Sequence, residues 1–126
     1  MLEAPVISII EDDESVRKAT QSLVRSLGFA ACTFACAEDF LESPRLNDTS
    51  CVIADVQMPG MSGVEMQSLL AAQSNHTPII FITAFHDERL RAQAMQTGAI
   101  CFLSKPVDGK TLIEWLDKAL SGRSGE

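Results

Sequence analysis

Short apolar runs alternate with longer amphipathic stretches along the whole of this 126-residue chain. A short apolar run bounded by polar or turn-forming residues is typical of a buried β-strand. Five runs of this kind predict strands over residues 6–10, 29–34, 51–54, 78–82 and 100–103. Each run is too short for a helix of ordinary length, which favours the strand interpretation.

The stretches between these runs predict helices, because their apolar residues recur at helical spacing. The predicted helices cover residues 16–27, 37–41, 63–73, 87–97 and 108–120. Ser15 is the predicted cap of the first helix, and Gly28 is its predicted stop, since glycine accepts the left-handed backbone that ends many helices. Leu69 and Met95 are expected to face the core.

Strands and helices therefore alternate five times, which predicts parallel strand pairing and a three-layer α/β sandwich. Right-handed crossovers would place helices on both faces of a doubly wound, five-stranded parallel sheet, a (βα)5 arrangement. A chain of 126 residues predicts one domain. We assign residues 1–121 to that domain and residues 122–126 to the start of a linker or the end of the segment.

The balance of charge limits the partners of this chain. Asp and Glu number 17 against 10 Lys and Arg, and the formal net charge is −7. Such a chain is not expected to bind nucleic-acid phosphates or anionic membranes by itself. No apolar run approaches the roughly 20 residues of a membrane span, and the N-terminus lacks a basic signal-peptide start. We therefore expect a cytoplasmic protein whose four cysteines are buried, reduced thiols.

Polar side chains follow four of the predicted strands at the point where each strand ends. Because the carboxyl ends of parallel strands meet at one edge of a sheet, these side chains are expected to lie together, where ligands bind in open α/β folds. They are Glu11, Asp12 and Asp13 after the first strand, Asp55 after the third, Thr83 after the fourth and Lys105 after the fifth.

This set of groups favours a metal-assisted reaction with phosphate. Crowded carboxylates repel one another, and a divalent cation relieves the repulsion; oxygen ligands of this kind suit Mg²⁺. Asp55 is a plausible phosphoryl acceptor, because carboxylates form acyl-phosphate intermediates. Lys105 and the Thr83 hydroxyl would then stabilise the charge on the phosphoryl oxygens.

The chain resembles the receiver domain of two-component response regulators, particularly the FixJ type. The resemblance rests on residues 9–18, 55–65, 81–84 and 105–106, and the run DVQMPGMSG that begins at Asp55 is its most specific part. The matching stretches span nearly the whole chain from Val6 to Leu120. The resemblance implies the flavodoxin/CheY-like form of the three-layer α/β fold.

The resemblance also implies roles for individual residues. Asp55 is then the phosphorylated aspartate, and Mg²⁺ is held by Glu11, Asp12, Asp55 and the backbone carbonyl of Gln57. Glu11 departs from the Asp that is commoner at its position, so its longer arm is expected to reach the metal through water. The remaining implied residues are Thr83, Ala84, Phe102 and Lys105 for phosphate binding and switching, with Gln57 and Phe85 modulating the phosphate's lifetime.

As a member of this family, the chain would be a signalling domain rather than an enzyme. The expected partners are a sensor histidine kinase and, after phosphorylation, a second copy of the chain, which would pair through the surface of the fourth helix and fifth strand. Transcriptional output would come from an effector domain outside these residues.

Three alternatives differ in function. A haloacid-dehalogenase-like phosphatase needs a second acid two residues after its nucleophile, where this chain has Gln57. A flavodoxin-like nucleotide binder needs a Gly-rich or hydroxyl-rich loop after the first strand, where this chain has the acidic residues 11–14. A stand-alone or degenerate receiver would act only as a protein-interaction module, and assays of Mg²⁺ binding and phosphorylation would distinguish it.

Overall fold

The computed structural model describes the backbone of residues 4–124 and the side chains of residues 4–121. The strands are β1 (Val6–Ile10), β2 (Ala30–Phe34), β3 (Cys51–Asp55), β4 (Ile79–Thr83) and β5 (Cys101–Ser104). The helices are α1 (Glu14–Ser26), α2 (Ala37–Leu41), α3 (Gly63–Ala72), α4 (Glu88–Gln96) and α5 (Gly109–Ser124), with a 3₁₀ turn at Pro44–Asp48. All the predicted strands and helices are present, with bounds shifted by a residue or a few.

The five strands form one parallel sheet in the order β2-β1-β3-β4-β5, so the predicted doubly wound α/β fold is confirmed. β1 and β3 are neighbours, with Ile10 opposite Ala54. Asp55 lies opposite Ile82 of β4, and Thr83 lies opposite Ser104 of β5. This register brings the ends of β1, β3, β4 and β5 to one edge.

Each face of the sheet has its own apolar core. Alternate residues of a strand point to opposite faces: Val52 and Ala54 pack in one cluster, and Cys51 and Ile53 in the other. Fully burying one large apolar side chain contributes about 1.5–3 kcal/mol, so both clusters support the sheet. The first cluster contains Phe40, Val64, Met66, Leu70 and Ala94 from α2, α3 and α4, and the second contains Val24, Leu112, Leu116 and Ala119 from α1 and α5.

The first helix begins two residues earlier than the predicted cap requires. Asp13, not Ser15, is the cap, and its Oδ1 accepts a hydrogen bond from the Val16 amide at 3.1 Å. Ser15 already lies inside the first turn, where its side chain is not placed to cap. Gly28 follows the helix with φ of +99°, so its predicted role as the stop is confirmed.

Leu69 and Met95 do not face the core as predicted; their exposed fractions are 37% and 36%. Apolar residues occur all round α3, so the pattern could not determine which of its faces is inward. Instead the polar Gln67 is buried on α3, and its Nε2 donates to the Ala94 carbonyl of α4 at 2.9 Å. This bond satisfies the nitrogen of the buried amide, whereas Gln67 Oε1 is buried and has no hydrogen-bond partner among the described residues.

The cysteines and the C-terminal helix also differ from expectation. None of the four cysteines forms a disulfide, but Cys32 and Cys36 are only partly buried. α5 runs on to Ser124, so residues 122–124 continue a helix; the domain end at residue 121 stays a prediction, and residues 125 and 126 lie outside the described range. Within the described chain, none of the helices combines the length and apolar character needed to cross a bilayer.

Candidate functional site

Three carboxylates meet at the carboxyl edge of the sheet. Glu11 directly follows β1 and is 5% exposed, Asp55 ends β3 and is 8% exposed, and Asp12 is open to solvent. One oxygen from each of the three side chains lies within 4.8 Å of the others. Oxygen ligands at this spacing could hold a hard divalent cation.

Lys105 lies between two of these carboxylates. Its Nζ is 2.8 Å from Glu11 Oε1 and 2.9 Å from Asp55 Oδ2. The lysine directly follows β5, and its backbone amide donates to the Thr83 carbonyl at 2.9 Å, which fixes where the side chain starts. A single cation therefore contacts both nearly buried acids, although they are far apart in sequence.

The pKa values reflect this arrangement. Burial raises the pKa of Glu11, and the hydrogen bonds from Lys105 and from the Asp13 amide only partly offset that effect. Burial also lowers the pKa of Lys105, but its hydrogen bonds to Glu11 and Asp55 outweigh this, so the pKa of Lys105 lies above its usual value. Lys105 contacts two of the three carboxylates, and the group as a whole keeps more acids than cations, which leaves it attractive to a further cation.

Two hydrogen bonds orient Glu11 in the turn between β1 and α1. The Asp13 amide donates to Glu11 Oε2 at 3.1 Å, and the Arg17 guanidinium donates to the Glu11 carbonyl at 2.8 Å. The first fixes the carboxylate and the second fixes the backbone that carries it. Arg17 was not among the predicted site residues, and only its place six residues after Glu11, on the first turns of α1, points to this contact.

The loop after β3 is packed tightly against Asp55. The Gln57 amide donates to Asp55 Oδ1 at 3.2 Å, while the Gln57 residue itself is exposed. The Gly63 amide donates to the Val56 carbonyl at 2.8 Å and closes the loop. A Cβ atom on Gly63 would lie 2.3 Å from the Asp55 carbonyl oxygen, so only glycine fits. The sequence offered one signal for Gly63: glycine is a poor helix former, so a glycine at the start of a helix indicates a packing requirement.

The Thr83 hydroxyl is turned towards the loop after β4. It accepts a hydrogen bond from the Phe85 amide at 3.1 Å and lies 3.2 Å from the Phe85 carbonyl, to which it donates. Thr83 is 3% exposed, whereas Ala84 is exposed and Phe85 is 65% exposed. Phe102 is partly buried, with its ring centre 6.1 Å from that of Phe81.

This sheet, with its acidic cluster and lysine at the carboxyl edge, belongs to a signalling receiver. Residues 7–117 match the response regulator receiver domain family, and the chain therefore belongs to that family of two-component signalling domains.

The relatives that the chain resembles include transcriptional regulatory proteins, among them FixJ. Nodulation protein W of Bradyrhizobium diazoefficiens is 39% identical over 109 residues, which cover 86% of this chain and 48% of that protein. The transcriptional regulatory protein FixJ of Azorhizobium caulinodans is 36% identical over 126 residues, covering 100% of this chain and 59% of FixJ. The chain thus spans about half the length of the curated relatives it matches.

Solved structures agree with this assignment. A low-resolution structure of the response regulator StyR superposes with a TM-score of 0.89 at 41% identity, covering 98% of this chain and 62% of the StyR chain. A crystal structure of FixJ-N superposes with a TM-score of 0.84 at 31% identity, covering 95% and 96% of the two chains. The predicted FixJ-like receiver domain is therefore confirmed.

Proposed function

We propose that this chain accepts a phosphoryl group on Asp55 from a sensor histidine kinase. The observation that carries the proposal is the position of Lys105, whose Nζ contacts Asp55 Oδ2 at 2.9 Å and Glu11 Oε1 at 2.8 Å. A lysine in contact with the acceptor carboxylate is also within reach of a phosphoryl group attached there. It can then pair with the phosphoryl oxygens, as a cation does in other phosphoryl transfers.

The acidic cluster fits Mg²⁺ because its donors are hard oxygens on three side chains within 4.8 Å. Glu11, Asp12, Asp55 and the Gln57 carbonyl would hold the ion. Bound there, Mg²⁺ would supply positive charge that offsets the carboxylates and the negative charge on the phosphoryl oxygens. The Gln57 amide, which donates to Asp55 Oδ1 at 3.2 Å, keeps the acceptor carboxylate oriented.

The transfer itself requires little covalent chemistry from the protein. An oxygen of the Asp55 carboxylate attacks the phosphorus of a phosphohistidine, the phosphorus–nitrogen bond breaks, and the imidazole nitrogen keeps the electron pair and takes up a proton. Asp55 is nearly buried at the end of its strand, so its position changes little during the attack. Lys105 moves from the carboxylate to a phosphoryl oxygen.

Phosphorylation would then change the surface near α4 and β5. The added oxygens attract the Thr83 hydroxyl away from the Phe85 backbone, to which it is now hydrogen-bonded. The space that Thr83 vacates admits the ring of Phe102, which is only partly buried. A two-state rearrangement of this kind couples a local charge to a distant surface.

Ala84 gives the phosphoryl group room, and Gln57 and Phe85, both exposed beside it, affect how long it survives.

The changed surface would pair with a second copy of the chain and so control transcription through an effector domain. Two observations support this. The relatives include transcriptional regulatory proteins, and they extend well beyond the part that this chain matches. No direct contact of this chain with DNA is part of the proposal, because its net charge of −7 opposes one.

Labelling with a small-molecule phosphodonor tests the proposal. The wild-type chain should take one phosphoryl group in Mg²⁺ and none after Mg²⁺ is chelated, and Asp55→Asn should take none. Asp12→Asn should weaken both Mg²⁺ binding and labelling. Asp13→Asn is the matched control, because Asp13 lies outside the three-carboxylate group and Asn still caps a helix. Undiminished labelling of Asp55→Asn refutes the site, and absence of labelling in the wild type favours a degenerate receiver.

A further inference from the structure

The loop that follows Asp55 is contacted by a carboxylate from a different part of the chain. Glu38 lies in the first turn of α2, and its Oε2 accepts a hydrogen bond from the Met61 amide at 3.1 Å. The two residues are 23 positions apart. Hydrogen bonds from its own backbone amide and from that of Met61 hold the pKa of Glu38 below its usual value. The carboxylate thus accepts backbone hydrogen bonds, one of which comes from the loop.

Gly60 shapes the loop so that this contact can form. Its φ is +79°, in the left-handed region that glycine adopts readily. A Cβ atom on residue 60 would lie 2.9 Å from Glu38 Oε2. The absence of a side chain therefore lets the carboxylate approach the backbone on both sides of the Gly60–Met61 peptide bond. The hydrogen bond and the close approach both place Glu38 Oε2 against this loop.

The contact lies between two other fixed points of the loop. On the side nearer Asp55, the Gln57 amide is bound to Asp55 Oδ1 at 3.2 Å, and the Met58 side chain is buried. On the far side, Ser62 caps α3. Glu38 adds an anchor between them that comes from another element. Without it, the segment from Pro59 to Met61 would have more conformations available, and the position of Gln57 would be less well defined.

We infer that Glu38 is a positioning residue for the phosphoacceptor site: its carboxylate holds the loop of residues 56–62 in the shape that keeps Gln57 beside Asp55. The inference rests on the proposed function, because Gln57 is assigned there as a metal ligand. Glu38 itself contacts neither the metal nor the phosphoryl group. Its effect is indirect, like that of the outer residues that orient metal ligands in other proteins.

Two substitutions separate the hydrogen bond from the charge. Glu38→Ala removes the acceptor, so the Met61 amide should exchange with solvent at least about tenfold faster, because a local opening then breaks one bond fewer. Mg²⁺ binding should weaken by about tenfold, the lower end of the usual effect of losing an outer partner. Glu38→Gln keeps an oxygen that accepts the same bond and should behave like the wild type. Asp39→Ala, a neighbouring exposed acid of α2, is the control for lost charge.

The experiment measures Met61 amide exchange by NMR, Mg²⁺ affinity by calorimetry, labelling rate and melting temperature for the wild type and the three variants. Equal Met61 exchange in the wild type and Glu38→Ala overturns the inference. The inference is also overturned if Glu38→Gln or Asp39→Ala weakens Mg²⁺ binding as much as Glu38→Ala does, because the lost charge would then be the cause. If the wild type takes no label, the proposed function fails, while Met61 exchange and Mg²⁺ affinity still decide the role of Glu38.

Discussion

Gly63 lies against the end of the strand that carries Asp55, and a Cβ atom on residue 63 would be 2.3 Å from the Asp55 carbonyl oxygen. The same atom would be 3.0 Å from the Phe81 ring. Neither neighbour can move easily, since one is strand backbone and the other is a fully buried ring. The close approach of α3 to β3 is therefore possible only with glycine, and the position of Asp55 depends on it.

Gly63→Ala should destabilise the fold by about 1–3 kcal/mol, the usual effect of forcing an extra methyl into a packed region. Urea denaturation gives the free energy of unfolding directly. Gly109→Ala is the control: it also begins a helix, but its nearest contact is a flexible Leu23 methyl at 3.1 Å, so we expect a neutral or stabilising change. Equal free energies of unfolding for Gly63→Ala and the wild type would contradict the close contact.

Lys105→Met should leave Glu11 and Asp55 facing each other without a cation. Because both acids are nearly buried, we expect a loss of about 2 kcal/mol in unfolding free energy at neutral pH. Mg²⁺ should then raise the melting temperature of Lys105→Met more than that of the wild type, since the ion replaces the missing charge. Thermal melts with and without Mg²⁺ measure both effects.

Lys110→Met is the matched control for that experiment, because Lys110 is an exposed lysine of α5. Its melting temperature and its response to Mg²⁺ should equal those of the wild type. The expectation for Lys105 fails if the two variants respond alike.

Thr83→Ala should separate phosphorylation from its proposed consequence. The variant keeps Asp55 and Lys105, so labelling should persist, but no hydroxyl remains to move towards the phosphoryl group. We expect phosphorylated Thr83→Ala to stay monomeric under conditions in which the wild type dimerises. Thr83→Ser keeps the hydroxyl and should dimerise. Light scattering after labelling measures this, and dimerisation of Thr83→Ala to the wild-type extent would rule out the switch.

Cys101 should make the fold sensitive to alkali. Burial raises the pKa of its thiol from 9.0 to about 12, so the unfolded chain loses this proton at a lower pH than the folded chain. The resulting stability is complete below pH 9 and is lost as pH rises from 9 towards 12. Between about pH 8 and about pH 10.5 the free energy of unfolding should therefore fall by about 2 kcal/mol, because each pH unit above the unfolded pKa costs roughly 1.4 kcal/mol.

Cys101→Ala should remove that part of the pH dependence. Urea denaturation of both proteins at the two pH values gives the comparison, and other alkali-sensitive groups such as Lys105 cancel because both proteins contain them. Identical losses in the two proteins would show that the Cys101 thiol is not protected by burial.

Much of the fold could be predicted because its signals are local. The apolar run at 51–54 ends in Asp55, and the run at 78–82 ends in Thr83; both strands form where the pattern predicts. Alternation with helices then requires parallel pairing. Parallel pairing alone brings the strand ends to one edge. The sequence therefore predicts which groups belong to the candidate site, although it does not predict their contacts.

Local patterns failed where a segment is apolar on several sides or where two groups compete for one role. α3 carries apolar residues all round, and packing against α4 decided that Gln67 is buried while Leu69 is exposed. At the start of α1, both Asp13 and Ser15 can cap a helix, and the exact backbone path after β1 favoured Asp13.

By itself the sequence determined the elements, their parallel pairing and the residues at the strand ends, because periodicity and turn-forming residues act over a few positions. Only the tertiary structure decided which of these groups meet. Lys105 and Asp55 are 50 residues apart, yet their side chains are 2.9 Å apart, and Glu38 reaches Met61 across 23 residues. Such contacts depend on the order of strands in the sheet and on the paths of loops, which the packing of the whole chain sets.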